Sequence, residues 1–153
     1  MKHTIPTEVA EVKLTYQNKV YACDRPQVRS SGDAYWLFDM HWEEDTIALF
    51  ETAYMLLLDR ANRVMGWFKV SQGGMAGTVV DAKLIFATAL KARAAAIILA
   101  HNHPSANLTP SVADKALTAK LVAAGKALDL PLLDHLILSP EGGYFSFADE
   151  GLI

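Results

Sequence analysis

Ala94-Ala95-Ala96-Ile97-Ile98-Leu99-Ala100-His101-Asn102-His103-Pro104-Ser105 is the stretch on which the reading of this chain turns. Its first seven residues are uniformly apolar and bounded by charge and polarity, which predicts a short strand, residues 94–100, buried on both faces. Two imidazoles follow, two positions apart. In an extended segment such residues project the same way, so His101 and His103 leave the strand end together. Pro104 biases His103 toward an extended backbone and stiffens that pose.

Further along, Thr109-Pro110 predicts a helix start, with Thr109 as N-cap and Pro110 in the first helical position. Ser111 and Asp114 are three apart and share a face of that helix. Asp114 lies in the first turn, where the helix dipole favours negative charge. Two imidazoles and one carboxylate suit Zn²⁺ and leave a fourth position for water. Such a water needs a proton acceptor to attack near neutral pH, and the ligand histidines cannot serve. Glu51 is the best candidate by local pattern, because it opens the apolar run 52–58, although strand-end acids are common without a role. Ser111 is then placed to donate to an oxyanion.

Outward from this core, 52–58 and 64–70 read as strands joined by the turn Asp59-Arg60-Ala61-Asn62. Asp81 caps a helix to about Arg93, with Leu84, Ile85, Thr88 and Ala92 inward. The helix after Pro110 carries an inward stripe of Ala113, Leu117, Leu121, Ala124 and Leu128, which Gly125 shortens or bends. Residues 135–138 form a final core strand, and 144–147 a short closing one. Nearer the N-terminus, 12–22 alternates around Gln17-Asn18-Lys19 as a weak hairpin. Ser30-Ser31-Gly32-Asp33 offers caps for a helix through Trp42, and Glu43-Glu44-Asp45 either closes it or forms a short connection. Trp36, Trp42 and Trp67 read as core or interface residues. The glycines around 73–77 are not a phosphate loop, since no Gly-Lys-Ser/Thr follows. Strands alternating with helices, together with hairpins, predict an α/β fold with a mixed sheet flanked by helices.

The whole chain agrees with a packed enzyme-sized domain. Its 153 residues are 52% hydrophobic and 20% charged, within the globular range. No apolar run reaches the roughly 18 residues of a membrane helix. No secretory signal is read at the N-terminus. The single cysteine, Cys23, cannot form an internal disulfide, which fits the cytoplasm, and reads as a buried or edge residue rather than a nucleophile. The net charge of −3 argues mildly against a dedicated nucleic-acid binder. Charge is uneven, however: residues 33–51 hold six acids and no Lys or Arg, while 81–126 carry a net +4. The basic segment is either a solvated face or a rim for an acidic partner.

The run His101-Asn102-His103-Pro104-Ser105 with Ser111 and Asp114, and Glu51 upstream, resembles the JAMM motif of JAB/MPN metalloproteins, most closely the bacterial RadC-like branch in a short, stand-alone form. The resemblance covers roughly 47–153, including Gly77-Thr78-Val79, Asp134-His135-Leu136-Ile137 and Tyr144-Phe145-Ser146-Phe147. It implies a curved mixed sheet flanked by helices in the JAB/MPN (cytidine-deaminase-like) architecture. Residues 47–153 would form the metal-binding domain, and 1–46 a strand and helix extension packed on it. By resemblance His101, His103 and Asp114 bind zinc, Glu51 is general base and acid, and Ser111 supports the transition state. Asn102, which points away from its neighbours, fixes the loop, and Asp134 is a carboxylate placed to orient a ligand histidine. His135 reads as a hydrogen-bonded core residue, with a triad alongside Ser111 as the competing reading. The implied activity is a metallopeptidase or isopeptidase, with peptide or protein as substrate; the alternative is a factor linked to DNA repair, recombination or mobile DNA. Self-association and nucleic acid are further candidate partners, and no membrane is expected. Two departures stand out. Ala106 occupies a position where relatives commonly have Gly. No helix-hairpin-helix region is expected before residue 47, which weakens direct DNA binding. Loops 71–77 and 105–108 are expected to set the substrate.

Overall fold

The protein's computed structural model describes residues 10–11, 13, 15–73 and 79–153. Eight regular elements follow one another: α1 Ser31–His41, β1 Thr52–Leu58, β2 Val64–Gln72, α2 Ala82–Lys91, β3 Ala96–Asn102, α3 Val112–Ala127, β4 Leu132–Leu138 and β5 Tyr144–Ser146. The five strands form one open sheet in the order β2-β1-β3-β4-β5. Only β3 and β4 run parallel. A parallel pair needs a long crossover, and α3 supplies it. This is the mixed α/β sheet with flanking helices that the sequence predicts.

Sheet alternation divides the core in two. Ala53, Met55 and Leu57 on β1 and Ile97 and Leu99 on β3 pack with Ile85, Phe86 and Ala89 of α2 and Leu121 of α3. Tyr54, Leu56 and Leu58, with Ile98 and Ala100, pack on Leu37 and Phe38 of α1. The central strands β1 and β3 are thus buried at every position, which explains their unbroken apolar runs. Fully burying one such side chain is worth about 1.5–3 kcal/mol. Among the described residues no helix is long and apolar enough to cross a membrane.

Several boundaries differ from the sequence reading. The proposed hairpin at 12–22 does not form among the described residues, and Val12 and Leu14 lie outside them. Residues 15–20 are irregular, and Ala22–Asp24 is a 3-10 turn bearing an exposed Cys23. Gln17-Asn18-Lys19 lacks the glycine that the tightest hairpin turns favour. Of the tryptophans, Trp42 is buried while Trp36 is largely exposed. On α2, Leu84 faces solvent, and Phe86 and Ala89 face the core instead. Strand β4 begins at Leu132, three residues earlier than read, because Ile97 already pairs with Leu132 there.

Two differences bear on the site. Strand β3 continues through His101 and Asn102, since His101 pairs with Ala53 on one side and Ile137 on the other. The N-cap of α3 is Ser111 rather than Thr109. The helix turns Asp114, Thr118, Leu121 and Gly125 inward, while Ala113 and Leu128 are exposed. Gly125 does not end the helix, which runs on to Ala127. A Cβ at Gly125 would sit 2.5 Å from the Leu130 main-chain oxygen, so glycine there permits a close approach of α3 to the start of β4.

Candidate metal centre

The site is assembled where β3 ends beneath the first turn of α3. His101 belongs to the sheet face that α3 covers, and Asn102, its neighbour, points to the α1 face. His103 lies just beyond the strand, its main-chain N–H donating to Leu138 O at 2.9 Å. The chain then turns, with Ala106 N–H donating to His103 O at 2.9 Å, and Ala106 takes a left-handed φ of 61°. At the head of α3 a capping box forms: Ser111 Oγ accepts from Asp114 N–H at 3.1 Å, and Asp114 Oδ2 accepts from Ser111 N–H at 2.7 Å. The box orients the carboxylate as well as ending the helix.

These segments bring three donor atoms together. His101 Nε2 lies 3.0 Å from His103 Nε2 and 3.2 Å from Asp114 Oδ1, and His103 Nε2 lies 3.5 Å from Asp114 Oδ2. Tetrahedral zinc with bonds of about 2.0–2.1 Å has ligand–ligand edges of about 3.3 Å. The trio matches that size, and all its ligand atoms fall within 4.8 Å of one another. The group can hold a metal ion. The other ring nitrogens are tied back. His103 Nδ1 donates to Asn107 O at 2.6 Å, and His101 Nδ1 meets His135 Nε2 at 2.8 Å. His135 is fully buried, stacked on Phe147, and its Nδ1 lies 2.7 Å from Thr118 Oγ1.

Electrostatics reflect the crowding. Burial opposes charge on Asp114, but the close approach of the His101 and His103 rings outweighs it and holds the carboxyl well below the usual carboxylate range. The hydrogen bond to Asp114 raises His103 above the ordinary imidazole value, against burial. Burial, then the neighbouring His101, holds His135 well below it.

Glu51 stands at the mouth of β1 and lines one cleft with His101 and Asp114, whose other lining residues among those described are Val79, Val80, Ala113 and Leu117. The cleft measures about 260 Å³. Asn102 explains how Glu51 arrives there. Its Oδ1 accepts from Thr52 N–H at 2.7 Å, and its Nδ2 donates to Ile47 O at 2.6 Å and Phe50 O at 2.8 Å. One buried amide thus fastens the chain on both sides of Glu51 to the strand that carries His101. Asn102 touches none of the three donor atoms.

Asp134 requires correction. Its Oδ2 accepts from Ser146 Oγ at 2.7 Å, and its Oδ1 accepts from the N–H groups of His135 and Ala148 at 2.7 and 3.0 Å. It belongs to the opposite sheet face and orients no candidate ligand, because side chains on β4 alternate and His135 takes the inward position. Thr118 has no part in the sequence reading, and His135, read there as a hydrogen-bonded core residue with a triad beside Ser111 as the alternative, bonds His101 and Thr118 instead. The available signal was spacing: Thr118 is four residues after Asp114 and so lies on the same helix face. Ser111 has its main-chain N–H spent on Asp114, while its hydroxyl hydrogen is not consumed by the cap. Of the loops expected to set the substrate, 74–77 lie outside the described residues.

Comparison with known proteins adds a family match and three relatives. The model of the RadC-like JAB domain matches residues 28–152. A UPF0758 protein of Flavobacterium johnsoniae is 47% identical over 102 residues, covering 67% of this chain and 44% of the relative. One from Porphyromonas gingivalis is 44% identical over 103 residues, covering 67% and 45%, and one from Actinobacillus pleuropneumoniae is 37% identical over 133 residues, covering 86% and 60%. The matched stretch thus spans less than two thirds of each of these relatives.

Proposed function

The chain belongs to the RadC-like JAB domain family, and from that premise we propose that it is a zinc-dependent hydrolase of amide bonds, acting on a peptide or isopeptide. The observation that carries this reading is the convergence of His101 Nε2, His103 Nε2 and the Asp114 carboxylate oxygens at separations near the edge lengths of a tetrahedral metal site, with Glu51 lining one cleft with His101 and Asp114. Two imidazoles and one carboxylate favour zinc over the oxygen-seeking cations. Three protein ligands leave a position open, as in catalytic rather than structural sites.

Zinc held there supplies Lewis acidity toward a water molecule and a substrate carbonyl. Glu51 accepts the proton that water releases as its oxygen bonds to the carbonyl carbon. Glu51 then delivers that proton to the amide nitrogen as the C–N bond breaks. The Ser111 hydroxyl, with its hydrogen left over from the cap, donates to the carbonyl oxygen as charge builds on it. Val80, Ala113 and Leu117 give the cleft an apolar wall, and Glu51 and Asp114 are the charged groups among its described lining residues. That lining favours a substrate whose groups beside the scissile amide are uncharged.

The test compares zinc-loaded protein with Glu51→Gln on peptide and isopeptide libraries. The expected outcome is a loss of about 10²–10⁴-fold in turnover with zinc content unchanged. Equal turnover would remove Glu51 from the reaction, and failure of the wild type to take up zinc would overturn the hydrolase reading itself.

A further inference from the structure

The ring nitrogen that His101 offers to the metal is set by a chain of hydrogen bonds running through the interior, away from the cleft. Thr118 Oγ1 lies 2.8 Å from the main-chain oxygen of Asp114, one turn earlier on α3. A carbonyl carries no hydrogen, so the threonine hydroxyl must donate its only one there. Thr118 Oγ1 also lies 2.7 Å from His135 Nδ1. With the hydroxyl hydrogen already committed, the hydrogen of this second contact has to come from the imidazole. His135 is 0% exposed and sits between Thr118, His101 and Phe147. An uncharged imidazole with its hydrogen on Nδ1 has a bare Nε2. That bare nitrogen is 2.8 Å from His101 Nδ1, so His101 must donate, and its own lone pair is left on Nε2.

We infer that Thr118 and His135 form a hydrogen-bond wire that fixes the tautomer of His101 and presents its unprotonated Nε2 to the metal. The inference rests on the reading of His101, His103 and Asp114 as metal ligands. His135 and Thr118 are positioning residues, acting only through His101. Metal-bound histidines commonly donate their second N–H to a carboxylate, a carbonyl or water. Here His103 uses a carbonyl, that of Asn107, whereas His101 uses a neutral ring whose own orientation is fixed by α3. The geometry follows from the fold. His135 pairs across the parallel β3–β4 register with Leu99, one inward position before His101. Asp114 and Thr118 are successive inward positions of α3, so the same helix delivers a ligand to the metal and the acceptor that ends the wire.

The experiment combines imidazole nitrogen spectroscopy with zinc affinity in the full chain. In the metal-free wild type, His135 is expected to show hydrogen on Nδ1 and a bare Nε2. Thr118→Val keeps the shape but removes the acceptor. Its His135 is expected to move its hydrogen to Nε2, and zinc affinity to fall about 10-fold or more, within the range typical for loss of a ligand's supporting partner. Thr118→Ser restores the hydroxyl and is expected to recover both readouts. A purely structural threonine would change the melting temperature without changing the tautomer. Hydrogen on Nε2 of wild-type His135 overturns the wire, as does a folded Thr118→Val with wild-type zinc affinity. Should Thr118→Val fail to fold, the wild-type spectrum decides. A wild type that takes up no zinc defeats the metal-ligand reading, and the metal-free spectrum still tests the wire.

Discussion

Ala106 carries a local cost that the sequence points to but does not explain. It follows the His-Asn-His-Pro-Ser run at a position where the family resemblance leads one to expect Gly, and its backbone is left-handed, with φ at 61°. A side chain there crowds the carbonyl oxygen, at about 1–2 kcal/mol. Ala106→Gly is therefore expected to raise unfolding stability by about 0.5–1 kcal/mol, the strain relief exceeding the added freedom of the unfolded chain. Urea denaturation measures this, and a loss of stability would mean that the turn tolerates alanine without strain. At the same scale, the grouping of His101, His103 and Asp114 is legible because it is written in local spacing, whereas Glu51 opens a strand far upstream and takes its expected part from the family resemblance. Thr118 was not legible, because a threonine on a helix gives no sign of which way its hydroxyl turns. Asp134 was misjudged because adjacency to His135 in sequence puts the two on opposite sheet faces.

At the scale of elements, α3 carries the most consequence. The inward stripe read from the sequence follows the apolar residues alone, whereas the observed buried face also takes in polar Asp114 and Thr118 and small Gly125 beside Leu121, and the N-cap lies two residues later than read. Thr109 before Pro110 is a good cap, but Ser111 with Asp114 satisfies two helix-end donors reciprocally, and that pair prevails. The observed phase turns Gly125 against β4, where an added Cβ would lie 2.5 Å from Leu130 O. Main chain cannot swing aside as a side chain can. Gly125→Ala is expected to cost about 2 kcal/mol through overpacking and, by lifting α3, to weaken zinc binding at Asp114. Thermal melts and zinc titration of the same variant check both effects. Unchanged zinc affinity in a destabilised variant would mean that α3 yields at its C-terminal end alone.

For the whole molecule, a metal at this site would link strand β3, the turn after it and helix α3, all of which are apart in the unfolded chain. A ligand that binds only the folded state stabilises it by mass action, by about 2.7 kcal/mol at 100 times its dissociation constant. For a domain of this size that corresponds to a rise in melting temperature of about 5–10 °C. Zinc-loaded protein is expected to melt higher than EDTA-treated protein by that margin, and coincident melts would argue against a metal spanning these elements. The central strands, the capped helices, the mixed α/β class and the residues of the His-His-Asp trio were determined by the sequence itself, through apolar runs, cap chemistry and spacing. Only the tertiary structure decided which faces meet. A register shift between Ile97 and Ile98 skips Leu133, so Asp134 pairs with Ile98 and His135 with Leu99. That shift puts His135 beneath His101 and Asp134 on the far side of the sheet. Periodicity specifies that side chains alternate, but the phase of the alternation is chosen by partners distant in the chain, and on that phase the inner support of the site depends.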